Sequence, residues 1–236
     1  MMRWLLRLLY PPKCVFCDAV VENDRFAVCE NCMEDIPHNT RACRVCGMPL
    51  DTVFGELICT RCRKKKRAFE KAYVPFVYKD KVRSAILRFK FGNRQASGKT
   101  LAAYIFLKIR ALEGQRPDLI TFVPMHFIRR GMRGYNQAEL LARALGKMMH
   151  VPVKPTLRKT KHILPQSKLG GRERQIAPRD VYKRRKGADV AGKKILLLDD
   201  VITTGTTLDI CARVLKTAGA DTVEVATVAA TAFIQK

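Results

Sequence analysis

Asp199 and Asp200 are followed at once by Thr203, Thr204, Gly205, Thr206 and Thr207, in the run ILLLDDVITTGTTL over 195–208. Hydroxyls and backbone N–H groups gathered around one glycine suit a phosphate. A helix beginning there strengthens that choice, because its first amides and its dipole favour negative charge. The two carboxylates can accept hydrogen bonds from a pair of sugar hydroxyls without competing for the phosphate. The residue types and their order therefore point to a phosphorylated sugar. The elements that must position them are legible in the same run. Ile195 to Leu198 is too short an apolar stretch for a helix and suits a strand buried on both faces. LDICARVLKTAG (208–219) reads as a helix with Leu208, Cys211, Val214 and Leu215 on one side and Gly219 as its stop.

Other readings of the run explain less. Phospho-acceptor domains also carry aspartates after an apolar strand, but near the domain start, and the Gly/Thr loop would be left over. The nucleoside-triphosphate loop G-x-x-x-x-G-K-[ST] is absent. A purely structural strand–turn–helix is the bland alternative. The run resembles the phosphoribosyl-pyrophosphate (PRPP) motif of type I phosphoribosyltransferases.

A second chemistry lies at the other end of the chain. Eight of the nine cysteines form four C-x-x-C pairs: Cys14/Cys17, Cys29/Cys32, Cys43/Cys46 and Cys59/Cys62. The first two pairs are 11 residues apart and the last two 12, and the second half repeats the first at an offset of 29 to 30. Each C-x-x-C supplies two thiolates, so paired knuckles suit tetrahedral zinc. Two arrangements satisfy the spacing: ribbons in series (14/17/29/32 and 43/46/59/62), or interleaved (14/17/43/46 with 29/32/59/62). Disulfides are the rival chemistry, and neither a secretory signal nor a secreted scaffold pattern supports them. About two structural Zn2+ per chain are expected, with coordination closed by four thiolates. Cys211 stands apart as a core residue.

Composition limits the partners. The formal charge is +24, of which residues 73–236 carry +20, and within 125–194 nineteen basic residues face four acidic ones. A phosphorylated ligand needs only a few of these. The surplus, including Arg129, Arg130, Arg133 and the run Lys183 to Lys186, suits single-stranded nucleic acid, with a merely solvated surface as the alternative. The leading MMRWLLRLLY is interrupted by Arg3 and Arg7 and is too short to span a bilayer, which takes about 20 residues. No transmembrane segment is expected. Trp4, Leu5, Leu8 and Leu9 give it an apolar face that either docks on the protein or touches a membrane surface. The expected place is the cytoplasm, with peripheral contact to the inner membrane face as the variant.

Between the two ends the pattern is α/β. The basic run RCRKKKRAFEK (61–71) reads as the boundary between residues 1–71, an amphipathic segment with a double zinc ribbon, and a second domain over 72–236. Strands are expected at 72–78, 119–124 and 222–230, and helices at 82–93, 97–112 and 137–149. Strands alternating with helices imply a parallel sheet that binds ligands at the carboxyl ends of its strands. Asp199 and His126 both fall at such ends. Residues 158–180 have no period and read as a basic loop, either a lid over pyrophosphate through Arg158, Lys159, Arg172 or Arg174, or a disordered segment.

Taken together, the chain resembles the ComF family, associated with competence and DNA uptake. The resemblance rests on LLRLLYPPKCVFC, the later cysteine pairs, LRFKFG (87–92), VPMH (123–126), RGYNQAELLARAL (133–145) and the PRPP motif. It implies a type I phosphoribosyltransferase fold after an N-terminal double zinc ribbon. It also implies Asp199 and Asp200 as the ribose-binding and catalytic pair, and Thr203, Thr204, Gly205, Thr206 and Thr207 as the 5′-phosphate loop. Val123, Pro124, Met125 and His126 match the pyrophosphate-side loop, and Gln166, Leu169 and Arg174 match a Q-x-x-L-x4-R segment. Ala177 departs from the Asn usual after that Arg. Thr203 stands where purine-salvage members of the wider group have an acidic residue, and it cannot act as a general base near neutral pH.

Three functional classes follow from the resemblance. One is a PRPP- and Mg2+-binding DNA-uptake factor that contacts single-stranded DNA and the uptake machinery. Another is an active transferase with an unknown acceptor, and a third is a PRPP-sensing regulator.

Overall fold

The computed structural model describes residues 11–21, 26–50, 57–126, 131, 133–160 and 181–232. Helices α1 (Glu30–Asp35) and α2 (Thr60–Lys64) lie in the cysteine-rich part. Then follow β1 (Ala72–Tyr73), β2 (Phe76–Val77), α3 (Asp80–Phe91), α4 (Ser97–Ala111), β3 (Leu119–Phe122) and α5 (Gln137–Met149). The last part holds β4 (Leu157–Lys159), β5 (Tyr182–Arg184), β6 (Lys194–Leu198), β7 (Val201–Ile202), α6 (Thr206–Thr217), β8 (Thr222–Ala226) and β9 (Ala229–Ala230).

The apolar run of β6 is buried on both faces, as its composition requires. Leu196 and Leu198 join one core cluster, while Ile195 and Leu197 join the other. The sheet is parallel throughout, in the order β1-β8-β6-β3. Helices α3, α4 and α5 cover the first face, and α6 covers the second. Three of the strands break at one level and resume as a small parallel sheet in the matching order, β2-β9-β7. The break explains why the expected strands at 72–78 and 222–230 are each seen in two pieces. Val74–Pro75, Thr227–Val228 and Asp199–Asp200 occupy it. Proline cannot donate to a ladder, and the break is held by bonds such as Asp199 N–H to the Ala226 carbonyl (3.1 Å) and Val228 N–H to the Asp200 carbonyl (3.0 Å). The acidic pair thus sits in an interruption of the sheet and keeps both sides of it in register.

The cysteine-rich part does not stand apart. Cys14, Phe16 and Cys32 pack into the first core cluster, and Cys43, Cys46, Met48 and Cys59 into the second. His38 bridges Phe76 at the edge of the small sheet, and Val77 N–H donates to the Pro37 carbonyl at 2.9 Å. The basic stretch expected as a boundary is itself partly buried. Phe69 is 2% exposed in the second cluster, so the junction at 71/72 is packed. The leading residues Trp4, Leu5, Leu8 and Leu9 lie outside the described residues.

Part of the expected loop over 158–180 is strand. Arg158 and Lys159 belong to β4, which pairs antiparallel with β5 in the register Arg158↔Lys183 and Lys159↔Tyr182. Leu157 and Tyr182 are buried there and draw the hairpin onto the second core. That packing was hidden in the sequence by the charges between the apolar positions. Gln166, Leu169, Arg172, Arg174 and Ala177 lie outside the described residues. No described helix is long and apolar enough to cross a membrane.

Candidate functional site

At the carboxyl edge of the sheet, β3 and β6 deliver the two segments expected there. Val123 N–H donates to the Leu198 carbonyl at 2.9 Å, extending the pairing one residue past β3. This brings Val123, Pro124, Met125 and His126 beside Asp199 and Asp200, in a cleft of about 280 Å3. Lys90, Arg133, Asn136, Lys159, Tyr182 and Thr207 complete its lining. Behind Asp199 a smaller hollow of about 40 Å3 is lined by Val201, Ile202, Thr203, Thr204, Gly205, Thr206, Thr207 and Leu208. Asp199 and Thr207 border both spaces, so a sugar in the larger and a phosphate in the smaller would be contiguous.

The loop has the geometry an anion needs. Gly205 is left-handed (φ 75°) and ends the turn before α6, and no side chain caps the helix there. Thr204 and Thr206 hydroxyls meet at 2.9 Å, and Thr206 N–H donates to Thr204 Oγ1 at 3.3 Å. Thr203, Thr204 and Thr206 are exposed. Phosphate oxygens at that N-terminus would meet amides, hydroxyls and the helix dipole together.

Charge at the acidic pair is finely opposed. Burial pushes the Asp199 carboxyl up to about 7, and the neighbouring Asp200 charge adds to the push. The Asp200 N–H, which donates to Asp199 Oδ1 at 2.9 Å, and the cations Lys90 and Lys159 work against it. Lys90 Nζ pairs with Asp200 Oδ2 at 2.9 Å.

Lys90 received no role in the sequence reading, yet it is held with care. The RGYNQ segment that precedes α5 clasps the end of α3. Tyr135 Oη donates to the Phe89 carbonyl and Gln137 Nε2 to the Lys90 carbonyl. Asn136 caps α5 by accepting from Ala138 N–H and donates through Nδ2 to the Val123 carbonyl at 3.1 Å. Three consecutive polar side chains therefore fix the cationic helix end and the 123–126 loop against each other. Lys90, Asn136 and Tyr182 were missed, and Arg133 was read only as a nucleic-acid cation, not as part of this cleft. For Lys90 and Asn136 the signal lay in LRFKFG and RGYNQ, where polar residues stand at the end of one helix and the start of the next; Tyr182 had none.

The cysteines resolve into two sets in series, Cys14/Cys17/Cys29/Cys32 and Cys43/Cys46/Cys59/Cys62, with the sulfurs of each set within 4.8 Å of one another. Cys17 and Cys29 sulfurs are 3.5 Å apart, and Cys46 and Cys59 sulfurs 3.6 Å. Tetrahedral zinc with Zn–S of about 2.3 Å places its sulfurs about 3.8 Å apart. Cys29 N–H points to Cys14 Sγ at 3.5 Å and Cys59 N–H to Cys43 Sγ at 3.3 Å. Crowding splits the thiols: Cys46 and Cys62 hold Cys43 far below its ordinary value, and Cys43 in turn drives Cys46 far above. Four sulfurs gathered this closely suit one tetrahedral divalent cation, so both sets fit zinc.

Comparison with known proteins agrees with both halves. The double zinc ribbon domain family matches residues 5–67, and the phosphoribosyl transferase domain family matches residues 131–232. Competence protein F of Haemophilus influenzae is 26% identical over 219 residues, covering 90% of this chain and 94% of that protein. The chain is a ComF homologue. DNA utilization protein YhgH of Escherichia coli K12 is 26% identical over 223 residues, covering 92% of this chain and 96% of that protein. Competence protein ComFC of Bacillus subtilis is 26% identical over 195 residues, with 80% and 77% covered. This ComF homologue thus has the type I phosphoribosyltransferase fold behind two four-cysteine ribbons, as its motifs led one to expect.

Proposed function

We propose that this protein binds PRPP with Mg2+ in the Asp199/Asp200 cleft and handles single-stranded DNA on the basic face beside it, serving DNA uptake. One observation carries the ligand assignment. The acidic pair and the Thr203–Thr207 loop open onto two contiguous hollows, a larger one at the carboxylates and a smaller one at the loop. The carboxylates accept from the ribose hydroxyls, the loop and the start of α6 take the 5′-phosphate, and residues 123–126 face the pyrophosphate side. Oxygen donors of this kind suit Mg2+, which supplies charge neutralisation for the pyrophosphate when bound with it.

DNA handling is supported by the β4–β5 hairpin. Lys154, Arg158, Arg185 and Lys186 line a cleft of about 590 Å3 on one side of it. Lys65, Lys183, Arg184 and Arg213 line a larger one on the other. Phe91, 68% exposed, carries the Arg133 guanidinium over its ring at 4.6 Å beside the ligand cleft. Exposed aromatic and arginine planes are the surfaces on which unpaired bases stack. The names of the relatives, competence protein and DNA utilization protein, favour the same reading.

Turnover is the second reading, favoured by the intact acidic pair. Displacement of pyrophosphate from the anomeric carbon has an oxocarbenium-like transition state. This chain would contribute by holding the ribose and stabilising the departing charge. Thr203 at the usual acidic position argues against a purine acceptor.

Titrating the full chain with PRPP/Mg2+ and with single-stranded DNA, alone and in competition, tests the proposal. The double variant Asp199→Ala, Asp200→Ala should lose PRPP and keep DNA. Absence of PRPP binding in the wild type overturns the ligand assignment, and absence of DNA binding overturns the second.

A further inference from the structure

The phosphate loop is tied to the cysteine-rich part by two consecutive residues. Arg67 Nη2 donates to the Thr204 carbonyl at 3.0 Å. Ala68 N–H donates to Asp209 Oδ1 at 2.7 Å, and Asp209 lies in the first turn of α6. The two bonds grip the loop on either side of Gly205, the residue that makes its turn. Arg67 Nη1 stands 3.4 Å from where a Cβ on Gly205 would be, so the guanidinium lies against the turn itself. Its Nε is buried and has no partner among the described residues. The side chain therefore supports the loop from beneath, with its inner nitrogen closed to any ligand.

The other end of this grip is the second ribbon. Arg67 follows Cys62 by five residues, and its guanidinium reaches the Cys62 thiol. Cys43, Cys46 and Cys59 share one apolar cluster with Phe69, Ile202 and Leu208, which flank the gripped turn on both sides. The first ribbon packs elsewhere. Arg88 Nη2 donates to the Val15 and Phe16 carbonyls, and Arg94 pairs with Asp18, so its contacts run to α3 and the turn after it.

We propose that Arg67 is a positioning residue for the phosphate loop, and that it makes the loop's geometry depend on the metal-filled second ribbon and not on the first. The proposal rests on the reading of residues 203–207 as a phosphate site. The metal-bound second ribbon fixes the backbone that carries Arg67, Arg67 fixes the Thr204 carbonyl, and the loop amides are aimed before the ligand arrives. Such support keeps a site at its productive geometry without touching the ligand.

Amide hydrogen exchange over 203–208 in the full-length, zinc-loaded protein tests this without any ligand. Arg67→Ala should raise exchange there by about tenfold while zinc content stays at that of the wild type. Arg67→Lys, which keeps a donor for the Thr204 carbonyl, should restore most of the protection. Cys62→Ser opens the second ribbon and should loosen the same peptide, whereas Cys17→Ser opens the first and should not. PRPP/Mg2+ affinity, measured by calorimetry, should fall about tenfold in Arg67→Ala and recover in Arg67→Lys. Unchanged exchange in Arg67→Ala, or equal loosening by Cys17→Ser, overturns the proposal. Should Cys62→Ser not fold, Arg67→Ala and Arg67→Lys still decide whether Arg67 positions the loop, and loosening by Cys17→Ser still overturns the assignment to the second ribbon. Failure of the wild type to bind PRPP would sink the ligand reading alone, because loop exchange is read without ligand.

Discussion

Lys90 Nζ lies 2.9 Å from Asp200 Oδ2, and both side chains are largely buried at the floor of the cleft. The pair lets two adjacent carboxylates coexist where the sheet breaks. Removing the cation leaves Asp200 beside Asp199 with its charge unopposed at close range. Lys90→Ala should therefore cost about 1–2 kcal/mol of stability and weaken PRPP/Mg2+ about tenfold. Thermal melts and calorimetric titration check the two effects separately.

Tyr135 reaches the same helix end from outside the cleft. Its hydroxyl satisfies the Phe89 carbonyl, and both residues are buried. Tyr135→Phe should cost about 1 kcal/mol, because a buried carbonyl is left without its donor. Ligand affinity should fall less than in Lys90→Ala, since Gln137 still holds the Lys90 carbonyl. Parallel denaturant melts and titrations of the two variants give the comparison.

Gly205 needs its missing Cβ for backbone reasons. At φ 75° an L side chain is strained, while the atoms nearest a built Cβ, Arg67 Nη1 and Ile202 Cδ1, are no closer than 3.4 Å. Gly205→Ala should thus lose about 1–2 kcal/mol through conformation and not through collision. Gly205→Asn should lose less, because Asn tolerates the left-handed region. Urea unfolding midpoints of the three proteins decide the order.

How much of this was legible beforehand depends on the kind of signal. Helix α5 matches its expected limits, Gln137 to Met149, because Leu141 and Leu145 mark its buried side. The cysteine sets were legible as donors, but spacing alone left two pairings open. Only the fold puts Cys14 with Cys32 on one face of the sheet and Cys43 with Cys59 on the other. The acidic pair and its loop are local in sequence, and the fold sets them on adjoining hollows. Lys90 and Arg67 lie more than 100 residues from the groups they hold. Each looks like one more surface cation in a chain of charge +24. Long-range polar contacts leave no periodic trace, so only the tertiary structure singles them out.

Zinc removal should unfold more than the ribbons. Cys14 and Cys32 belong to one apolar cluster with α3, α4 and α5, and Cys43, Cys46 and Cys59 to the cluster with α6. Metal binding supplies folding energy to small cysteine modules outright. Here both modules are also walls of the main core. A strong chelator should release about two zinc per chain and lower the melting transition of the whole protein, seen as loss of helical circular dichroism. Release of metal with the helical transition unmoved would show the ribbons to be independent.

Asp199 gives the site a pH dependence of definite sign. Its carboxyl is pushed up to about 7, chiefly by burial and then by the Asp200 charge. An unfolded aspartate titrates near 4, so between about 4 and 7 the native state holds a proton that the unfolded chain has lost. This group's contribution to stability is complete at low pH and disappears as pH rises through about 7. Ligand binding runs the other way, because ribose hydroxyls donate and need the ionised carboxylate. PRPP/Mg2+ affinity should climb with pH by up to about tenfold per unit below 7 and level off above it. The ligand's own phosphates titrate in this range, so the measurement is the difference between wild type and Asp199→Asn with the same ligand. That difference should grow from pH 5.5 to 7 and then hold constant, and a flat difference would place the titrating group elsewhere.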